Sequence, residues 1–147
     1  MNDTVKYTET RDISLESILT LYRANKWSSA ERPEALYNSL MQSHSLVSAW
    51  DGQKLVGLGS TLSDGYLVVY YSHLLVLPEY QSRGIGKRLM DILMERYKDF
   101  HQQVVIAVQE ASGFYERCGF VRADGTQSMW IYAGNDVGHD RAVPSPQ

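Results

Sequence analysis

The chain has 147 residues, of which 44% are hydrophobic and 21% are charged, and its formal net charge is −3. This length suits one domain with its own core, and the weakly negative charge provides no broad basic surface for nucleic acid. The sequence has no apolar run long enough to span a membrane and no signal-peptide pattern. Its single cysteine, Cys118, excludes an internal disulfide and fits a reducing compartment. We therefore expect a cytoplasmic protein with neither a nucleic-acid nor a membrane partner.

The N-terminal third predicts a short edge strand within residues 1–12, followed by two helices. Ser14 is a residue type that caps helices, and apolar residues at i, i+3, i+4 and i+7 after it predict a first helix that ends near Asn25. Residues 27–32 are predicted to be a loop. Pro33 suits the first position of a second helix, because its missing N–H is not needed there.

Three strands joined by tight turns are predicted next. Asp51-Gly52 and Asp64-Gly65 are hairpin signals. Pro78 ends the third strand because it cannot donate a ladder hydrogen bond. The predicted strands cover residues 45–50, 54–62 and 66–77. An antiparallel meander is the simplest arrangement of these three strands.

The third strand leads into a glycine-containing loop, residues 81–86, and then into an amphipathic helix that begins at Ile85. Such a unit directs backbone N–H groups and the positive end of a helix dipole at one point, which suits a phosphate or pyrophosphate. The two common nucleotide motifs do not fit. Leu89 stands where a Rossmann fingerprint needs its third glycine, and Arg88 stands where a P-loop needs Ser or Thr.

The last third predicts a strand, a short helix that Gly119 ends, and a hairpin. A right-handed crossover would make this strand parallel to the one over residues 66–77. The predicted elements are a strand over residues 103–108, a helix over 110–118, and paired strands over 120–123 and 128–132. Residues 134–147 contain few apolar residues and are predicted to be disordered, which leaves residues 1–133 as a single domain.

Two motifs resemble those of one family. The run Gln-x-x-Gly-x-Gly over residues 81–86, preceded by Leu-Val-x-Pro, resembles the acetyl-CoA pyrophosphate loop of the GNAT N-acetyltransferase superfamily. Residues 113–120, Gly-Phe-Tyr-Glu-Arg-Cys-Gly-Phe, are similar to its later Phe-Tyr-x-x-x-Gly-Phe motif. The resemblance implies an α+β GNAT fold, in which helices flank a mixed central sheet with an antiparallel meander. The block from Arg32-Pro33 to Met129-Trp130 looks similar to the branch with arylalkylamine (serotonin-type) acetyltransferases.

The resemblance implies acetyl transfer from acetyl-CoA to a primary amine, with a small-molecule acceptor and no metal. The pantetheine arm would pair with the end of the strand as an added strand would. The pyrophosphate would lie on the N–H groups of the loop. The cofactor-binding residues implied in this way are Leu74, Leu75, Val76, Ser82, Arg83, Gly84, Ile85, Gly86 and Lys87.

Tyr115 is the catalytic residue that the resemblance implies, as the general acid for the leaving thiolate. A phenol has a pKa of about 10, which suits this task; the alternative is a tyrosine that only packs. His73 is the candidate base because imidazole titrates in the useful range, and the alternative is a buried, hydrogen-bonded histidine. Glu110, Asp64 and a chain of waters are weaker candidates for the base.

Substrate selection would fall to the first helices and the strand ends. The candidate lining residues are Tyr22, Trp27, Arg32, Tyr70 and Tyr71. The aromatic side chains among them could hold an aromatic or cationic amine by stacking or cation–π contacts, or they could simply build the core. Two functional alternatives remain open, namely acetylation of a protein N-terminus or lysine, and a CoA-binding sensor without chemistry. The resemblance also raises a homodimer through the late strands.

Overall fold

The computed structural model describes residues 4–135, and a five-stranded sheet forms its centre. The strands are β1 (Val5–Thr8), β2 (Ser45–Asp51), β3 (Lys54–Ser63), β4 (Val68–Val76) and β5 (Gln102–Val104). They lie side by side in chain order. The pairs β1–β2, β2–β3 and β3–β4 are antiparallel, whereas β4 and β5 are parallel. The predicted meander and the predicted parallel strand are both confirmed.

Four α-helices surround the sheet. They are α1 (Leu15–Ala24), α2 (Pro33–Met41), α3 (Ile85–Arg96) and α4 (Ser112–Arg117). The Ser14 hydroxyl accepts a hydrogen bond from the Ser17 N–H at 3.1 Å, which satisfies an N–H group that the start of α1 would otherwise leave unpaired. The first two helices therefore begin where the sequence predicts. The predicted loop between them contains a 3₁₀ turn, Ser28–Glu31.

Helices α1 and α3 pack on opposite faces of the sheet. The ring of His73 on β4 contacts Tyr22 of α1, whereas the next residue, Leu74, lies on the side that packs against α3, because neighbouring strand residues point to opposite faces. Helix α3 approaches β3 closely at Gly59, where an added Cβ would lie 2.9 Å from Leu93 Cδ1. This approach encloses a core in which Leu93 and its neighbours are almost fully buried.

A polar cluster anchors the chain just after α3 to the sheet. The Tyr97 hydroxyl is completely buried and lies 2.6 Å from His44 Nδ1, 2.6 Å from Ser45 Oγ and 2.7 Å from Thr61 Oγ1. Arg96 donates to the Ser45 hydroxyl at 2.9 Å. Because buried polar groups are costly when unpaired, these shared bonds fix the orientation of α3 over β2 and β3.

The end of β4 has a free edge. The pairing of β3 with β4 shifts between Ser60 and Thr61, so Ser72 has no partner in the register. On its other side, β4 pairs with β5 only at residues 68–70. Within residues 4–135, no strand pairs with the rest of this edge, residues 71–76, so it remains open to a ligand.

The late part of the chain departs from prediction. The fifth strand is shorter than residues 103–108, and the predicted helix 110–118 divides into a 3₁₀ turn, Gln109–Ala111, and α4. The predicted hairpin over 120–123 and 128–132 is wrong, since neither segment forms a strand and Val121, Met129 and Ile131 are exposed. Strand-forming residue types alone do not make a strand, because the backbone needs a partner edge.

Two expectations meet the limits of the described residues. Most of the predicted disordered tail, residues 136–147, lies outside them, and the division into a domain and a tail stays a prediction. Within residues 4–135, no helix is both long and apolar enough to cross a membrane.

Candidate functional site

The free edge of β4, the start of α3 and helix α4 enclose a cleft of about 780 Å³. Its lining residues are Asn25, Trp27, Leu74, Leu75, Val76, Tyr80, Gln81, Ser82, Gly84, Ile85, Gly86, Lys87, Glu110, Ala111, Phe114, Tyr115 and Arg117. Eight of the nine predicted cofactor-binding residues lie here. The ninth, Arg83, is not among the lining residues, and its guanidinium donates to the Glu79 carbonyl at 2.8 Å and lies over the Tyr80 ring.

One end of the cleft is the N-terminus of α3. Gly84 precedes the helix with φ +84°, a left-handed conformation that glycine adopts without strain. The first helical hydrogen bond here runs from the Arg88 N–H to the Gly84 carbonyl at 3.0 Å. Helix geometry therefore leaves the N–H groups of residues 85–87 without an intrahelical acceptor. Lys87 adds positive charge, although it also pairs with Asp91 at 2.7 Å. This end suits an anion.

The other wall is the open edge of β4. The Leu77 N–H donates to the Val56 carbonyl of the β3 side at 2.8 Å. Because backbone groups alternate along a strand, those of Leu74 and Val76 point away from β3, toward the cleft. Such an edge can pair with an extended ligand that has amide groups.

Two side chains that the sequence analysis did not assign to the site donate hydrogen bonds to one carbonyl group of this edge. Asn25 Nδ2 and Gln81 Nε2 donate to the Val76 carbonyl at 3.1 and 3.0 Å. Gln81 Nε2 also donates to Asn25 Oδ1 at 3.3 Å. The Val76 carbonyl is thereby satisfied, so the Val76 N–H and both polar groups of Leu74 are what the edge presents to a ligand. Gln81 belongs to the motif, but nothing in the sequence connects Asn25, at the end of α1, to β4.

Tyr115 of α4 reaches the cleft. Its half-buried ring packs edge-to-face on Phe114 and Phe120, with centroid distances of 5.0 and 5.9 Å. Burial, with smaller contributions from Cys118 and Tyr70, raises the pKa of Tyr115 to about 12. The phenol is therefore protonated at neutral pH and can donate a hydrogen bond.

His73 lies on the other face of β4 and does not line the cleft. Its Nδ1 is 2.6 Å from the Tyr22 hydroxyl, and its ring contacts Trp27 with a centroid distance of 5.1 Å. Desolvation by these neighbours lowers the pKa of His73 to about 4. The ring is therefore neutral near pH 7, and one of its two nitrogens is engaged by the Tyr22 hydroxyl.

The two weaker candidates for the base are in different places. Glu110 is exposed and lines the cleft. Asp64 precedes β4, at the opposite end from the cleft, and its carboxylate accepts hydrogen bonds from the N–H groups of Tyr66, Leu67 and Val68. These bonds lower the pKa of Asp64, and its role is to hold the β3–β4 turn.

The predicted substrate residues do not assemble into one aromatic cage. Trp27 is the only one of the five that lines the cleft. Tyr22 is fully buried against His73, and Tyr71 is buried with its hydroxyl donating to Gln103 Oε1 at 2.7 Å. Tyr70 and Arg32 also lie outside the lining. The alternative that these aromatic residues build the core therefore holds for Tyr22 and Tyr71.

The described residues, 4–135, contain no group of three or more His, Cys, Asp or Glu side chains that could hold a metal ion.

Comparisons with known proteins agree on one family. The sequence model of the acetyltransferase (GNAT) domain matches residues 9–129. The structure is similar to that of a GNAT-family acetyltransferase from Streptococcus pneumoniae TIGR4, with a TM-score of 0.74 and 31% identity over 88% of this chain and 98% of that one. At 14% identity and a TM-score of 0.67, the fold is also that of AAC(6')-Iy, over 88% of this chain and 99% of that one.

Among curated proteins, the chain is 28% identical over 124 residues to GCN5-related N-acetyltransferase 3, chloroplastic, from Arabidopsis thaliana. This match covers 82% of the chain and 49% of that protein. A second relative, the uncharacterized N-acetyltransferase ycf52 from Gracilaria tenuistipitata var. liui, is 28% identical over 53% of the chain and 44% of its own length. The chain thus spans about half the length of the curated relatives that it matches.

The buried environment of His73 predicts a specific loss of stability in mild acid. The unfolded chain takes up this proton near pH 6.5, whereas the folded chain does so only near pH 4. Protons therefore favour unfolding between these values, and this one group should lower the free energy of unfolding by up to about 2 kcal/mol from pH 7 to pH 5. Urea unfolding at several pH values measures this slope.

Two variants isolate this contribution. His73→Gln should flatten the slope of stability between pH 5 and 7, whatever its absolute stability, while His101→Gln at an exposed position should keep it. His44, whose pKa is lowered by desolvation and by Arg96 and Arg11, accounts for part of any slope that remains. An unchanged slope in His73→Gln would contradict the assignment.

Proposed function

Because the chain belongs to the acetyltransferase (GNAT) family, we propose that it transfers the acetyl group of acetyl-CoA to the primary amine of a small molecule. The observation that supports this most directly is the convergence of the open β4 edge and the start of α3 in one cleft. The strand edge can pair with the amide groups of pantetheine, and the start of α3 can attract the pyrophosphate of CoA. The AAC(6')-Iy structure, whose fold is similar, is described as a complex with the analogue CoA-S-monomethyl-acetylneamine.

The donor would bind along the length of the cleft. The amide groups of pantetheine would pair with Leu74 and with the Val76 N–H, as an added strand pairs with a sheet. The pyrophosphate would accept hydrogen bonds from the N–H groups of residues 82–87, where Lys87 contributes a charge. The Arg83 side chain, held toward Glu79 and Tyr80, would act only through its charge at longer range.

In the reaction, the amine nitrogen attacks the thioester carbonyl carbon. The C–N bond forms, the C–S bond breaks, and the hydrogen lost by the nitrogen passes through solvent to the thiolate, which leaves as the thiol. Tyr115 donates a hydrogen bond to the sulfur as negative charge develops there. With a pKa of about 12 the phenol is a weaker acid than a thiol, so we assign it to stabilisation of the leaving group rather than to complete proton transfer.

Replacement of Tyr115 tests this role. Tyr115→Phe keeps the ring and its packing but removes the donor, so kcat should fall by about 10²- to 10³-fold, as for other single donors that stabilise developing charge. Calorimetric affinity for acetyl-CoA should change by less than about three-fold. Tyr66→Phe serves as a control, because Tyr66 is exposed and lies outside the cleft.

The outcomes of this experiment separate the alternatives. Unchanged turnover in Tyr115→Phe would remove Tyr115 from the mechanism. Saturable binding of acetyl-CoA without thiol release from any amine or peptide would instead support a CoA-binding sensor. Turnover with peptides but not with small amines would support a protein acetyltransferase.

The left-handed conformation of Gly84 provides a second test. Neither Gly84 nor Gly52, which has φ +63° in the β2–β3 turn, has an atom within 4 Å of an added Cβ. An alanine at either position therefore costs only backbone strain, about 1–2 kcal/mol. Both variants should lose similar stability, but only Gly84→Ala should weaken acetyl-CoA binding, by about ten-fold, because only its loop cradles the pyrophosphate. Equal affinities would place the pyrophosphate elsewhere.

We assign removal of the amine proton to solvent rather than to His73, whose Nδ1 is engaged by Tyr22 and whose ring lies off the cleft. The pH dependence of kcat/KM should then follow the pKa of the acceptor. Profiles measured with two amines that differ in pKa should be displaced from each other by that difference. An inflection at the same pH for both amines would indicate a base on the protein, with Glu110 as the first candidate to mutate.

A further inference from the structure

A second cavity adjoins the first, and nothing in the function proposed above uses it. It has a volume of about 370 Å³ and lies between the end of α1, the following 3₁₀ turn and the end of the described chain. Six of the residues that line it are Arg23, Lys26, Trp27, Ser28, Glu31 and Asn135. Trp27 also lines the first cleft, so the two cavities share this residue.

Backbone hydrogen bonds and ring contacts fix the position of Trp27, which lines both cavities. Its backbone N–H donates to the Tyr22 carbonyl at 3.1 Å, and its carbonyl accepts from the Ala30 N–H at 3.1 Å. Its ring packs edge-on against Tyr22 and His73, with centroid distances of 5.5 and 5.1 Å. His73 directly precedes Leu74 of the donor edge, so Trp27, which contacts the His73 ring, lies next to this edge as well as to the second cavity.

The charge of the second cavity is positive. Arg23 and Lys26 contribute two cations and Glu31 contributes one carboxylate, so the formal charge of the lining is +1. None of the four ion pairs found within residues 4–135 includes these side chains. Exposed and beside a cavity, Arg23 and Lys26 can both turn toward a bound anion, and charge-assisted hydrogen bonds are the stronger kind.

We propose that the acceptor is a small primary amine that also carries an anionic group, a carboxylate or a phosphate. Arg23 and Lys26 bind the anionic group in the second cavity while the amine extends past Trp27 to the thioester. This inference rests on the proposed acetyl transfer. It selects against polyamines, which two cations would repel, and against purely aromatic amines, because Trp27 is the only aromatic side chain lining the second cavity within the described residues.

Matched pairs of amines test the substrate class. Phosphoethanolamine is compared with ethanolamine, and 4-aminobutyrate with butylamine; putrescine and tryptamine represent the cationic and aromatic classes. With thiol release from acetyl-CoA as the readout, the anionic member of each pair should have a kcat/KM at least ten-fold higher than the member whose substituent is uncharged, here called the neutral member. The two anionic probes also distinguish a preference for phosphate from one for carboxylate.

Charge variants locate the anion. Arg23→Gln should lower kcat/KM for the anionic amines by about 10- to 100-fold, the usual range for a hydrogen bond to a charged group, and should change the neutral amines less than two-fold. Lys26→Asn should do the same, and asparagine tolerates the left-handed backbone of Lys26, φ +61°. Glu31→Gln should raise the values for the anionic amines. Arg122→Gln, on an exposed residue outside both cavities, is the matched control.

The results distinguish this inference from the function on which it rests. Equal or better kcat/KM for neutral, cationic or aromatic amines, or variants that affect both members of a pair alike, would overturn the inference and leave acetyl transfer standing. If no amine releases thiol, calorimetric titration with phosphoethanolamine in the presence of CoA decides. If phosphoethanolamine binds and Arg23→Gln abolishes this binding, the anion site is supported and the proposed reaction is contradicted. If phosphoethanolamine does not bind, both proposals are overturned.

Discussion

The structure depends on the fact that β4 has a partner on only one side along about two-thirds of its length, residues 71–76. Its pairing with β5 ends at Tyr70, and the register shift at Ser72 re-aims the strand just beyond that point. A sheet edge with unpaired N–H and C=O groups is normally a liability. Here the edge lies beside the start of α3, and the two features together form the cleft in which we propose that acetyl-CoA binds mainly to backbone groups.

Contacts between the end of α1 and β4 support the walls of this cleft. Tyr22 of α1 and His73 of β4 share a hydrogen bond of 2.6 Å, and Trp27 packs on both rings. Asn25, one turn along α1, donates to the Val76 carbonyl of the edge itself. The end of α1 is thus fixed to β4 at two places. In the function that we propose, Tyr22 and His73 position the residues that line the cavities rather than contact the substrate.

The chemistry that follows needs little from ionisable side chains. A thioester is activated already, and a neutral amine attacks it without a strong base once the two are held together. The raised pKa of Tyr115 and the lowered pKa of His73 have the same cause, desolvation, and both keep the side chain neutral near pH 7. In the mechanism that we propose, neutral donors and backbone amides stabilise the charge that develops on sulfur, and the charged residues of α1 and the adjoining turn select the acceptor.

Local sequence signals determined those element boundaries that depend on interactions between residues close together in the chain. Ser14 and Pro33 set the starts of the first two helices, and Asp51-Gly52 and Asp64-Gly65 set the turns of the meander. The glycine-containing motif over residues 81–86 marks the start of α3. Each of these signals acts within a few residues, through a cap, a fixed φ or a turn conformation. For this reason they can be recognised without knowledge of the rest of the chain.

Only the tertiary structure decided what depends on partners far apart in the chain. The segment over residues 128–132 has strand-forming residues but no edge to pair with, so it forms no strand within the described chain. Asn25 reaches Val76 across 51 positions of sequence, and Tyr22 reaches His73 across the same interval. Pairing, burial and the resulting pKa shifts are properties of such distant neighbours. The sequence by itself therefore determined the family and the loop that begins α3, whereas packing decided which side chains face the cleft and which lie behind it.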